Sequence, residues 1–311
     1  MQQWQGLGQI PSACEPSAVT IGKFDGIHLG HQALLTATTD AAKAHDIQSI
    51  AVTFDRHPDA LFNPERLRLP IIGPHQKAQL IEAAGVSALL TLAFDESLAC
   101  LEPRQFVEDI LVTALNAKHV TVGQDFRFGA GGLGNVALLT ELGAEFGFEL
   151  EVVPAIEMDG HKISSSRIRD LLDLGDVEQA ARLLGRQHQT CGIIEHGLKL
   201  GRQLGFPTAN MARDAEGYLP VDGVYAGYLY ADGERYDAAL SVGINETIQA
   251  VPRLIEAHVL YRNDLDLYDK IVTLEYVSYL RPALKFDGIE TLIAAIRKDC
   301  DEISEILKIR K

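Results

Sequence analysis

The sequence predicts an α/β protein: a parallel sheet with helices on both faces, then a small antiparallel barrel closed by a last helix. Three patterns carry this. Up to about residue 184, short apolar runs alternate with amphipathic helical patterns, the order of repeated strand–helix–strand units. From about Thr190, helical periodicity stops and short strand patterns follow one another between turn residues. Over 289–307 helical spacing returns, with Ile289, Leu292, Ile293, Ile296, Ile303 and Leu307 available to lie across the barrel.

Taken in order, residues 1–17 read as a loose lead-in. Strand patterns fall at 19–22, 49–54, 88–92, 119–123 and 149–153. Helical patterns fall at 32–45, 75–84, 103–115 and 136–146. Residues 63–74 hold three prolines with Arg66 and Arg68, and read equally as a lid over the sheet edge or as a plain connector. A short helix over 177–184 ends at Gly185, which sets the expected domain boundary: 1–186 and 187–311. The second half has strand patterns at 191–196, 223–229, 238–242, 254–261 and 271–279.

Bulk composition narrows the function. Apolar residues make up 47% of the 311, enough for a full globular core. The formal charge of −15 disfavours nucleic acid or an anionic membrane as partner, so positive potential for an anionic substrate has to be local. Cys14, Cys100, Cys191 and Cys300 lie far apart, the pattern of free thiols in a reducing compartment. Residues 1–18 lack a charged start followed by an apolar run, and no apolar stretch of about 18 residues occurs. The expectation is therefore a cytoplasmic protein with no membrane partner. Composition leaves its oligomeric state open.

The chemistry concentrates in a few stretches. In VTIGKFDGIHLGH, Val19, Thr20 and Ile21 form a buried strand. Gly22 ends it, Gly26 and Gly30 keep the backbone bare, and a helix follows His31. A strand, a glycine turn and a helix start aim backbone N–H groups at a phosphate. His28 and His31 share a helical face and can donate to charge developing on a transferring phosphoryl group. A zinc pair or two surface histidines are the other readings. Two further polar loops, 53–58 (TFDRHP) and 123–129 (GQDFRFG), reach the same carboxyl edge of the sheet, where ligands of such sheets bind. ISSSRIR, 163–169, is a serine N-cap before a helix; its hydroxyls, N–H groups and arginines also suit a phosphate. The G-x-G-x-x-G at 129–134 is a decoy for dinucleotide binding, because QDFRF separates it from the preceding strand.

In the barrel half, residues 197–210 read GLKLGRQLGFPTAN. Its glycines, with Lys199 and Arg202, either cradle a phosphate chain or form a flexible hairpin with solvated charges. Thr208 offers a hydroxyl to Mg²⁺, with the Asn210 amide nearby. Glu256, inside an apolar strand pattern, is either salt-bridged or a general base on a substrate hydroxyl.

These residues in this order resemble the bacterial bifunctional riboflavin kinase/FAD synthetase family over essentially the whole chain. GKFDGIHLGH, TFDRHP, GQDFRFG and ISSSRIR match its FMN adenylyltransferase half. LGFPTAN, GVYAG, the glutamate of IEAHVL, DLYD and YLRPALKF match its riboflavin kinase half. The resemblance implies a Rossmann-like nucleotidyltransferase domain and a six-stranded antiparallel barrel. It implies phosphorylation of riboflavin to FMN by ATP, then adenylylation of FMN to FAD with release of pyrophosphate, both with Mg²⁺. Carried over by position, His28 and His31 stabilise charge on the ATP phosphates. Gly22, Phe24, Asp25, Gly26, Gly30 and Asp125 line that site, and Ser164, Ser165, Arg167 and Arg169 hold the triphosphate. In the kinase half, Gly197, Lys199, Gly201, Arg202, Gly205, Pro207, Thr208 and Asn210 bind ATP. Thr208 and Asn210 organise the metal, and Glu256 takes the proton of the ribityl hydroxyl. Three positions depart from the pattern: Ser166 for the usual Thr, GINETI at 243–248 for an Asn-Pro-Thr-Phe segment, and Asp269 for a Gly. The runner-up reading is an adenylyltransferase of single activity, acting on another mononucleotide, with the barrel as a binding module.

Overall fold

The computed structural model describes residues 1–56, 69–196, 201, 205–243 and 254–309. The chain divides into two compact units, 1–69 with 74–164, and 70–73 with 165–311.

The first unit is built on a six-stranded parallel sheet. Its strands are β1 (Gln2–Gln5), β2 (Ser17–Ile21), β3 (Gln48–Phe54), β4 (Ala88–Leu92), β5 (Ala117–Gly123) and β6 (Glu149–Val153). Their spatial order is β1-β4-β3-β2-β5-β6, and every pairing is parallel. Successive strands step outward from β2 toward β4 on one side and from β5 to β6 on the other. The order therefore reverses between β2 and β5, the crevice where a doubly wound sheet binds its ligand.

β2 and β3 are buried along nearly their whole length, as near-continuous apolar runs are when a sheet is covered on both faces. Val19 and Ile21 pack into a core with Val52, Leu90, Phe106 and Leu139. On the other face lies α1 (Leu29–His45), which buries Leu35, Thr38, Thr39 and Ala42 and packs against β2, β3 and β5. Further helices of the unit include α2 (Pro74–Ala83), α3 (Pro103–Phe106) and α4 (Val136–Phe146). α3 continues as a π-helical stretch, Val107–Ala114, whose wide turn shows as the Leu115 N–H donating to the Ile110 carbonyl at 3.0 Å.

One sequence expectation is corrected here. Residues 1–17 are not a loose lead-in: Gln2–Gln5 pairs with β4, and Trp4 is 6% exposed within the core. A single apolar residue among three glutamines is enough, because an edge strand buries only one face. The glycines at 129–134 form a turn. Gly129 takes φ 70°, and a Cβ there would lie 2.7 Å from the Pro103 Cα, so the residue is needed for a close backbone crossing. Asn135 then caps α4, accepting from the Leu138 N–H at 2.9 Å.

The second unit opens with α5 (Ser165–Asp173) and α6 (Val177–Leu184). Next come β9 (His188–Glu195), β10 (Ala209–Met211), β11 (Gly223–Ala231), β12 (Glu234–Gly243), β13 (Leu254–Val259) and β14 (Ile271–Pro282). α7 (Ile289–Ile309) closes the chain. A two-strand hairpin in the first unit, β7 (Glu157–Met158) with β8 (His161–Lys162), precedes them. The six strands close as β10-β13-β12-β11-β14-β9, antiparallel throughout, so no edge is left open. One barrel strand, β10, is missing from the sequence reading, because three residues are too few to show a period. α7 lays Ile303 and Leu307 on Ala226, Tyr228 and Val277. A two-pronged ion pair fastens it, Arg281 donating to both Asp299 carboxylate oxygens at 2.9 and 2.7 Å. Of the 63–74 segment, the described residues Ile71 and Ile72 are buried in this second unit, and the Tyr218 N–H donates to the Ile71 carbonyl at 3.1 Å.

Candidate active sites

The loop after β2 is wound tightly enough to need its residues. Phe24, Gly26 and Ile27 all take left-handed backbone angles (φ 47°, 82° and 40°). Such angles are rare for a β-branched residue and mark a backbone held by its surroundings. Phe24 is fully buried. A Cβ on Gly22 would sit 3.2 Å from the Phe24 ring, so the ring closes over that glycine.

His28 caps α1. Its Nδ1 accepts from the His31 N–H at 3.3 Å, which leaves Nε2 to carry the proton of the neutral ring. The two imidazoles stack, centroids 3.8 Å apart at 16°, and the Phe24 ring meets His31 edge-on at 5.4 Å. Burial, then the neighbouring His28 and Lys77, hold the His31 pKa well below the ordinary imidazole range, so it is neutral at pH 7. Its Nδ1 is buried with no hydrogen-bond partner among the described residues. A buried polar atom left without a partner calls for an explanation, and a ligand group is one. Asp25 is also buried, at 8% exposure.

Lys77 of α2 escapes sequence reasoning. Its ammonium donates to the Lys23 carbonyl at 2.9 Å and to the Thr53 hydroxyl at 3.4 Å, so it lies against the β2 loop and the end of β3. Burial lowers its pKa, opposed by the Asp25 charge. A cation held this way is the local positive potential that a chain of charge −15 requires. Asp125, beyond the carboxyl end of β5, is exposed and ion-paired with Lys162. Ser164 belongs to the first unit, while Ser165, Arg167 and Arg169 belong to α5 of the second. There Arg169 is buried at 5% exposure and Arg167 is half-buried.

The second constellation lies on the barrel wall. Asn210 stands directly opposite Glu256 in the β10–β13 ladder. Ala209, Met211, Ile255 and Ala257 alternate with them and are buried, so Asn210 and Glu256 share the face away from the barrel core. Directly opposed residues hold their Cβ atoms about 5 Å apart, close enough for both side chains to engage one group. Burial raises the Glu256 pKa.

Pro207 and Thr208 border a cleft with Ala257, Arg262 and Tyr268. Beside it, a cavity of about 470 Å³ is lined by Gly205, Phe206, His258, Asn263 and Arg297 among others. His258 Nδ1 meets the Pro207 carbonyl at 2.8 Å, and the Phe206 ring stands edge-on to it at 5.5 Å. Gly201 is needed for packing, since a Cβ there would fall 2.4 Å from the Phe206 oxygen. Gly205 takes φ 86°. The expectations for Gly197, Lys199 and Arg202, and for most of GINETI, lie outside the described residues.

A doubly wound parallel sheet with paired histidines at its switch point, joined to a closed six-stranded barrel with an Asn–Glu pair on its wall, defines a transferase made of two domains. Two family models match: FAD synthetase over residues 10–167 and riboflavin kinase over 184–307. Relatives described as bifunctional riboflavin kinase/FMN adenylyltransferase are 35% identical in Pseudomonas fluorescens, covering 96% of each chain. In Listeria monocytogenes the identity is 34%, covering 90% of this chain and 89% of that one. In Escherichia coli it is 32%, covering 94% and 93%. A solved structure described as a macrolide-efflux protein from Streptococcus pneumoniae superposes with a TM-score of 0.87 at 30% identity, covering 98% and 99%. Among the described residues of this chain, no helix is long and apolar enough to cross a membrane. The chain belongs to the bifunctional riboflavin kinase/FMN adenylyltransferase family.

Proposed function

We propose that this enzyme makes FAD in two ATP-dependent steps, phosphorylation of riboflavin on the barrel and adenylylation of the resulting FMN on the sheet, in the cytoplasm. The stacked His28–His31 pair, with its orphaned buried Nδ1, carries the second assignment. In that step a phosphate oxygen of FMN attacks the α-phosphorus of ATP, the α–β bridging P–O bond breaks, and pyrophosphate leaves. The two imidazoles, the start of α1 and Lys77 donate to oxygens that gain charge, while Gly22, Gly26 and Gly30 let the backbone come close. Ser164, Ser165, Arg167 and Arg169 contribute to the triphosphate site, and Asp125 borders it. A neutral His31 imidazole still has an N–H to donate, and Lys77 supplies the positive charge beside it.

In the first step Glu256 takes the proton of the ribityl hydroxyl. The alkoxide oxygen forms a bond to the γ-phosphorus of a second ATP, and ADP leaves. A raised pKa fits a base that must hold a proton during transfer. Pro207, Thr208 and Asn210 border the ATP, with Gly197, Lys199, Gly201, Arg202 and Gly205 along its phosphates. The Thr208 hydroxyl and the Asn210 amide oxygen are hard oxygen donors, the kind Mg²⁺ takes together with phosphates. When bound, Mg²⁺ neutralises phosphate charge. A functional boundary at 186/187 keeps each set of functional residues on one side, whereas the compact units divide at 164/165 and the riboflavin kinase model begins at 184.

Purified protein given riboflavin, ATP and Mg²⁺ is expected to yield FMN and then FAD by chromatography. His31→Ala stops the reaction at FMN, with FAD formation down at least about 100-fold. Glu256→Gln blocks FMN formation but still converts added FMN to FAD. FAD from FMN with no FMN from riboflavin in the unmodified protein would instead select an adenylyltransferase of single activity.

A further inference from the structure

At the far end of α1 from the histidine pair lies a second cluster that the flavin chemistry leaves unused. His45 is in the last turn of α1, His119 is in β5, and Glu149 opens β6, where it stands opposite His119 in the ladder. His45 Nε2 and His119 Nδ1 each lie 3.7 Å from the same Glu149 oxygen, Oε2. All three atoms fall within 4.8 Å of one another. A point in the plane of atoms spaced this way sits about 2.1–2.4 Å from each, close to a metal–nitrogen or metal–oxygen bond.

The orientation of His119 is the second observation. The residue is 8% exposed. Nε2 lies 3.2 Å from a Glu151 oxygen, and a carboxylate can only accept, so Nε2 carries the proton. With the proton on Nε2, it is Nδ1 whose lone pair is available to a metal. That atom is buried, makes no hydrogen bond among the described residues, and faces Glu149 and His45. A carboxylate holding the outer nitrogen of a histidine whose inner nitrogen is bare is the support that metal-bound histidines receive. The C-terminal end of α1 adds the negative pole of the helix dipole beside it.

We propose that His45, His119 and Glu149 bind a divalent transition metal of the zinc class, with Glu151 positioning His119 and water completing the shell. Two imidazoles and one carboxylate suit Zn²⁺, Co²⁺, Ni²⁺ or Cu²⁺ and not Mg²⁺, which takes oxygen donors. The metal clamps the end of α1 to β5 and β6. α1 spans about 25 Å, so the site is distant from the phosphate chemistry at the start of the same helix.

The test uses the full chain stripped with chelator and dialysed, with Co²⁺ as optical probe and Zn²⁺ for thermal unfolding. The expected result is one Co²⁺ bound with visible d–d absorption, displaced by Zn²⁺. Zn²⁺ at 100 times its Kd raises the unfolding midpoint by about 5 °C. His45→Gln and Glu149→Gln, both at exposed positions, each lose the absorption and the thermal shift, with affinity down at least about tenfold. Both keep the metal-free midpoint and FAD formation in Mg²⁺ unchanged. Two results overturn the proposal: no Co²⁺ uptake at 100 µM-range concentrations, on the order of what a weak surface site needs, or uptake undiminished in both variants, which would place the metal at His28–His31 or the cysteines.

Discussion

Asp269 shows what one residue can cost. It takes φ 60°, in the left-handed region, and its N–H donates to the Ile194 carbonyl at 3.0 Å. A glycine, the residue the family resemblance leads one to expect there, would adopt this backbone freely. Aspartate is among the side chains that tolerate the region best, yet it still meets its own carbonyl. Asp269→Gly is therefore expected to raise stability by up to about 1 kcal/mol, read as a higher denaturation midpoint of the barrel at unchanged m-value. The turn was legible as a departure from pattern, but its sign came only with the backbone angle. Lys77 is the reverse case. Nothing adjacent in sequence marks it, and its role arises because α2 folds back onto the Lys23 carbonyl and Thr53. His45, His119 and Glu149 are likewise far apart along the chain, and the ladder register between β5 and β6 brings two of them together.

Elements were legible where a period or a cap spoke for them. α1 is the strongest example, with its glycine turn and its apolar stripe in one stretch, although it begins at Leu29 rather than after His31 and the cap at His28 shows only in the structure. β1, β10 and the π-helical stretch after α3 were not. The first has one apolar residue, the second has three residues in all, and a widened turn leaves helical spacing almost unaltered. α1 also carries a direct prediction. A Cβ at Gly30 would lie 3.2 Å from both Cε1 and Nδ1 of His28, so alanine displaces that ring by a few tenths of an ångström. Alanine favours helix over glycine by about 1 kcal/mol, so the fold tolerates the change. Chemistry that depends on near-attack geometry does not, and Gly30→Ala is expected to lower kcat for FAD formation about tenfold or more. Riboflavin phosphorylation by the same protein provides the control, expected to be unchanged.

At the scale of the whole molecule, each unit holds a buried histidine whose pKa folding lowers. His31 in the first unit has its pKa held well below 6.5, by burial first and by His28 and Lys77 after it. His188 in the second is 1% exposed and meets the Tyr218 carbonyl at 2.6 Å. Burial lowers its pKa to about 4, against a partial rise from that hydrogen bond. Because both folded pKa values are depressed, the unfolded chain binds more protons than the folded one in the interval between. Stability is then fully present above about pH 6.5 and drains away as pH falls toward the folded values. For His188 the interval down to about 4 corresponds to about 3 kcal/mol. Raised carboxyl pKa values work the other way: Glu256 favours the folded state at low pH, so it offsets part of this loss in the barrel. The expected outcome is a calorimetric midpoint that falls between pH 7 and pH 4.5 for both units. His188→Gln, which keeps an amide to donate to the Tyr218 carbonyl, flattens the fall in the barrel transition alone. An equally steep fall in that variant would assign the acid sensitivity to carboxylate ion pairs instead.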